Sequence, residues 1–189
     1  MIEIPKYSVS TYDPKSLAVN ERTDFTRRIP ALPPKQLARD AKIAAQIIRA
    51  YEAGNADRVI EIFCGKAHLL SNPRYWELMR TVWVAVGSTD LAGLFRTLMK
   101  SSRPCKSWFM TPEDAATLDA MQFPLTVWRA YDANPIYADD DPGISWTINE
   151  QWCRGYAEVK GRIVKSRQVE RKDIFAYISR RGEEEIIIL

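Results

Sequence analysis

Histidine is nearly absent: His68 stands alone among 189 residues. Any Ser-His-Asp triad or histidine-based metal site would depend on that one residue, and its place between helical segments suits an interhelical or exposed role better. Cysteine is scarce too. Cys64, Cys105 and Cys153 are odd in number and widely spaced, which gives neither a disulfide framework nor a zinc pattern. That usage fits a reducing cytoplasm. Glycine occurs eight times but never as Gly-x-Gly-x-x-Gly or Gly-x-x-x-x-Gly-Lys, which argues against Rossmann and nucleoside-triphosphate enzymes. No basic leader precedes an apolar run, and no stretch approaches the ~18 apolar residues that span a bilayer. A cytoplasmic protein without a membrane partner is therefore expected. A large charge of one sign is also missing, because 27 basic and 24 acidic side chains are interspersed and leave a net charge of +3. Electrostatics alone therefore does not call for nucleic acid.

What is present falls into three parts. Residues 1–34 carry Pro5, Pro14, Pro30, Pro33 and Pro34 among Ser, Thr, Asp and Asn, a composition that resists helix and predicts an extended arm. From Lys35 the apolar period becomes helical, with Leu37, Ala41, Ala44, Ala45, Ile48 and Tyr51 on one stripe and Gly54 as a stop. This predicts a helix from Pro34 to Glu52. Further helices are expected over Ala56–Phe63, from Asn72-Pro73 to Gly87, over Leu91–Met99 behind a Ser88 or Thr89 cap, and over Ala115–Met121 behind Thr111. Residues 35–123 thus read as a helical block. After Pro124 the chain turns β-branched and aromatic. Strands are expected over Leu125–Tyr131, Ile144–Ile148, Arg162–Val169, Ile174–Ile178 and Glu184–Leu189, with a helix capped by Asn149 and ending near Gly161. Helices first and strands afterwards make the fold class α+β, the β-rich part (124–189) forming one integrated domain with the helices.

The most informative stretch is Glu183-Glu184-Glu185 running into Ile186-Ile187-Ile188-Leu189. Three carboxylates against an apolar strand are costly unless they meet a ligand, a counter-charge or water. Arg129 at a strand end and Ser145-Trp146-Thr147 after Gly143 stand ahead of them. Strand alternation would put Ser145 and Thr147 on one face and Trp146 on the other. Glutamate and arginine on separate strands can stabilise a cationic leaving centre and hold a diphosphate, which is what cleavage of an N-glycosidic bond requires.

The order arginine, Ser-x-Thr, Glu-x-Glu over residues 124–189 resembles the ADP-ribosyltransferase fold. The Gly-hydrophobic-Ser-Trp-Thr segment and the Arg-Gly-Glu-x-Glu strand also resemble a group of uncharacterised bacteriophage and prophage proteins. The resemblance implies a split β-sheet core behind the helical part, with NAD as the substrate that donates ADP-ribose. It implies that Arg129 binds NAD phosphate and ribose, that Ser145 and Thr147 support the nicotinamide pocket, that Glu185 is catalytic, and that Glu183 serves the acceptor. The implied acceptor is a macromolecule, a host protein in the host cytoplasm if the chain is phage-encoded. The middle Trp146 departs from the small residue usual there. The triplet also leaves open a one-residue shift that would turn Glu184 inward; Glu185 is preferred because Glu183 then shares its face.

Two other clusters compete. Asp139-Asp140-Asp141 lacks the spacing of a calcium loop and reads as a solvated segment. Arg154, Lys160, Arg162, Lys165, Arg167, Arg171 and Lys172, near Trp152 and Tyr156, match a nucleic-acid groove less well than a solvated surface balanced by Glu150, Glu158, Glu170 and Asp173. Trp76, Trp83 and Phe95 read as core.

Overall fold

A computed structural model describes residues 32–86, 91–132, 143–179 and 183–189. Residues 1–31 of the Pro-rich arm, Gly87, the Ser88 or Thr89 cap and Asp139-Asp140-Asp141 lie outside those residues, while Pro33 and Pro34 open the first helix. Five helices come first: α1 (Pro34–Glu52), α2 (Ala56–Lys66), α3 (Asn72–Val86), α4 (Ala92–Met99) and α5 (Pro112–Ala120). Strands β1 (Leu125–Asp132) and β2 (Ser145–Thr147) follow, then α6 (Glu150–Lys160), β3 (Arg162–Val169), β4 (Ile174–Ile178) and β5 (Glu185–Ile188). The α+β class is what the order of patterns predicts.

Local chemistry sets the helix ends. Asn55, Thr111 and Asn149 each accept a hydrogen bond from the backbone N–H three residues on, at 2.9, 3.0 and 2.9 Å. Gly161 ends α6 in the left-handed region at φ 62°. α2 continues to Lys66 rather than stopping at Phe63, carrying Gly65 in its last turn. The apolar stripe expected on one side of α3 is wider in fact: Pro73 to Val84 are all buried, which makes α3 the axis of the helical block. Its buried charges are paired, Arg74 with Glu77, and Arg80 with Asp114 of α5 at 2.8 Å.

The five strands form one antiparallel sheet in the order β3-β1-β2-β5-β4. It is unevenly knit. β1 pairs with β3 from Leu125↔Val169 to Asp132↔Arg162, whereas β1 and β2 meet at one register pair, Trp128↔Thr147. β2 is also shorter than expected, Ile144 and Ile148 lying outside it.

Register fixes the faces, because directly paired residues share one and chain neighbours oppose. Trp128, Thr147 and Glu185 lie on one face, to which Ser145 and Ile187 also belong. There Ile187 and Ile178 join the same core as Ile47, Phe63, Trp76, Trp83 and Phe95 of the helices. The opposite face carries Val127, Trp146, Ile186 and Ile188 in a second core closed by Leu118 of α5. One sheet thus separates two cores, and the helical block and the β-rich part share the larger one.

Candidate functional site

All five residues singled out in the sequence line one cleft of about 240 Å³, together with Trp83, Trp128, Trp152, Cys153, Tyr156 and Arg162. The cleft opens where β1 and β2 diverge from their single register pair.

Glu185 is its fixed acidic group. It begins β5 opposite Thr147, is only 6% exposed, and receives the Ser145 hydroxyl on Oε1. The indole N–H of Trp83 donates to both carboxylate oxygens, at 3.2 and 3.1 Å. A buried carboxylate held by two side-chain donors escapes the cost of an unpaired charge. Glu184 takes the other direction. Its φ of 47° is left-handed, an uncommon conformation for a residue with a side chain, and it delays the strand to Glu185. Glu184 also helps to raise the pKa of Tyr177, whose phenol is pushed up first by burial; Tyr177 belongs to the opposite core. Glu185, not Glu184, is therefore the cleft residue. Glu183 reaches the same cleft, but through the backbone turn at Glu184 rather than through strand alternation.

Ser145 and Thr147 share a face as expected but do different work. Ser145 meets the Glu185 carboxylate directly. Thr147 donates its hydroxyl to the Glu183 carbonyl and accepts from Asn149 N–H at 3.0 Å, so it clasps the start of α6 to the segment that delivers Glu185.

Arg129 arrives differently from the simple expectation. Alternation from Trp128 places it with Tyr131, away from the Glu185 face, and its guanidinium lies 5.8 Å from the Tyr131 ring centroid. It reaches the cleft through the gap between β1 and β2, where Nη1 donates to the Ser145 carbonyl. Gly143 makes the room. The residue has φ +69°, which favours glycine, and a Cβ built there would lie 2.6 Å from Arg129 Cζ and push the guanidinium from its present place.

The remaining wall belongs to α6. Trp152 and Tyr156 stack with centroids 5.4 Å apart and planes 5° from parallel, as i and i+4 residues on one helix face can. Arg162 donates to the Tyr156 hydroxyl at 3.3 Å, with its guanidinium 5.5 Å from that ring. Cys153 is buried between them; burial pushes its thiol up, Glu150 adds to the rise, and Arg154 and Arg129 oppose it. A buried, protonated thiol is a poor nucleophile. Among the described residues no group of three or more His, Cys, Asp or Glu could hold a metal ion, and His68 is exposed in a 3-10 turn remote in sequence from the cleft.

Trp83, Trp152, Tyr156 and Arg162 complete the lining, and Gly143 backs Arg129. Trp83 reads as core in the sequence, Trp152, Tyr156 and Arg162 stand in the basic cluster rather than with the five candidates, and Gly143 is the glycine of the Gly-hydrophobic-Ser-Trp-Thr segment. The assembled cleft offers a carboxylate, two guanidinium groups and aromatic faces, a set that suits a cationic or oxocarbenium-like centre next to an anion and a planar ring. No helix among the described residues is long and apolar enough to cross a membrane. No protein-family model, curated protein or solved structure matches the chain.

Proposed function

We propose that the chain is a mono-ADP-ribosyltransferase that takes NAD as substrate and transfers ADP-ribose to a macromolecular acceptor, a host protein if the chain is phage-encoded. The observation that carries this reading is the Ser145 hydroxyl on the Glu185 carboxylate, at the floor of a cleft that also holds Arg129, Thr147 and Glu183.

In this reading the bond between nicotinamide and the ribose anomeric carbon breaks, and its electron pair leaves with nicotinamide. The Glu185 carboxylate stabilises the positive charge that develops on the ribose, with Ser145 and Trp83 fixing its position. Arg129 and Arg162 attract the diphosphate. The acceptor nucleophile then bonds to the anomeric carbon and loses its proton, and in this reading Glu183, which lines the same cleft, receives it. Water in the acceptor's place gives NAD hydrolysis. At about 240 Å³ the described cleft is smaller than the ~300–1,000 Å³ of most small-molecule sites, so it takes one ring and its sugar and leaves the rest of the dinucleotide outside.

A second reading is a binding module of the same fold without turnover. Glu185 favours it in one respect, being 6% exposed with both oxygens already engaged. Incubation of the wild type and Glu185→Gln with labelled NAD and lysate separates the two. Nicotinamide release and labelled macromolecules with wild type alone establish the transferase; no release from folded wild type leaves the binding module.

A further inference from the structure

The basic cluster between β2 and β4 divides once the faces are assigned. Arg154 pairs with Glu150 at 2.6 Å on α6, and Arg171 pairs with Asp119 at 3.3 Å. Glu170 and Asp173 cap each other across the 3-10 turn Arg171–Asp173, so they do not neutralise the strand before it. Of the other cations, Arg162 lines the Glu185 cleft and Lys160 ends α6, whereas Lys165 and Arg167 of β3 stand together. Both are exposed, and among the described residues neither forms an ion pair.

Their register puts them on the sheet face opposite Glu185. Arg167 is paired with Val127 and Lys165 with Arg129, which share the alternation of Tyr131 and Trp146. The Lys165 ammonium lies 4.6 Å from the Tyr131 ring centroid, and the Arg167 guanidinium 4.3 Å from that of Trp146. Rings beneath the cations hold them in place without neutralising them. On this face the β1–β3 ladder carries Leu125, Val127, Arg129 and Tyr131 opposite Val169, Arg167, Lys165 and Ile163, with no carboxylate among them. Beyond Arg167 the surface falls into a groove of about 540 Å³, with Lys172 on its rim and Val169, Ile174, Phe175 and Leu189 along it. The one side-chain carboxylate in that lining, Asp173, accepts from Glu170 N–H at 3.2 Å.

We infer that this outer face of β1 and β3 binds single-stranded nucleic acid. Residues two apart on a strand are ~7 Å apart, a step close to that between successive phosphates of an extended strand, so Lys165 and Arg167 can take neighbouring phosphates. The groove after Arg167 gives an unstacked base an apolar seat beside the half-buried Phe175, and Lys172 meets the next phosphate. A duplex offers no free base to that groove. Lys165 and Arg167 lie across the sheet from the Glu185 cleft, while the groove sits at the sheet's end, where Phe175 and Leu189 pack on the larger core; none of these residues lines that cleft.

The test is fluorescence anisotropy with fluorescein-labelled oligothymidylate, across a salt series, on the full chain. The wild type binds, with an affinity that falls steeply as salt rises. Each lost phosphate contact lowers the slope of log K against log salt by about 0.7, so Lys165→Ala/Arg167→Ala lowers it by about 1.4 and weakens binding at least roughly tenfold at low salt. Lys165→Ala alone, which leaves the Trp146 cover intact, lowers the slope by about 0.7. Arg154→Ala/Lys160→Ala, on α6 across the sheet, leaves both quantities unchanged, as does Glu185→Gln. No binding at low salt overturns the inference. So does an equal loss in the α6 double variant, which marks diffuse charge, or binding confined to phosphatidylserine vesicles.

Discussion

The two ends of the sheet treat charge in opposite ways. At the β2-β5-β4 end, Glu185 is buried under α3, and its partners Trp83 and Ser145 are dictated by the fold. At the β3 end, Lys165 and Arg167 stand in solvent over aromatic rings. A buried charge is tolerated only when every donor around it is specified, whereas an exposed one keeps its own hydration and needs little from its neighbours. Substitutions should therefore be severe near the helical block and mild on the outer strand.

The largest effect is expected at Asp114, which accepts from Arg80 at 2.8 Å and from Ser179 N–H at 3.0 Å and so ties α3, α5 and the end of β4 together. Asp114→Ala strands a buried guanidinium and should cost about 3–5 kcal/mol in urea unfolding. A loss below ~1 kcal/mol would remove the contrast between the two ends, since exposed pairs are worth that much. Trp83→Phe keeps an aromatic ring edge-on to Phe95 but deletes the N–H that reaches Glu185. It should cost about 1.5–3 kcal/mol, the range for a hydrogen bond to a charged group. If NAD turnover is observed, the same variant should lower kcat more than it raises KM, because the ring that lines the cleft is kept in kind and the deleted N–H acts through Glu185.

Gly143→Ala sharpens the comparison at the seam between the ends. Backbone at φ +69° and the displaced Arg129 guanidinium together should cost about 1–3 kcal/mol. Lys165→Ala is the smallest change. Its effect on unfolding should stay within about 0.5 kcal/mol, and a larger loss would mean that the outer strand relies on its cations for stability.

The fold was legible where a segment's own pattern decides its state. α1, β3 and β4 occupy the spans that periodicity and β-branched content predict, and Thr111 and Asn149 cap the helices they precede. Among the candidate residues, Ser145, Thr147 and Glu185 meet as alternation predicts, because all three sit on short paired strands. The rest depends on distant chain. Trp83 reads as core, and 5% exposure agrees, yet nothing in its helix says that its N–H meets a carboxylate 102 residues later. The left-handed turn at Glu184 is equally silent in a run of three glutamates. Strand patterns also do not reveal that β1 and β2 touch at one register pair, because pairing is set by distant chain.

The position of β5 has a consequence for how the protein folds. It is later in sequence than the other four strands, yet it lies between β2 and β4, sending Ile187 into one core and Ile186 and Ile188 into the other. Before it docks, β1 and β3 can pair over their full length, but β2 and β4 lack the strand between them. The closing step must bring together residues as far apart as Trp83 and Glu185, and loop closure over such distances is slow. Helices and the β1–β3 ladder should form early, and the cleft should be the last part of the molecule to exist.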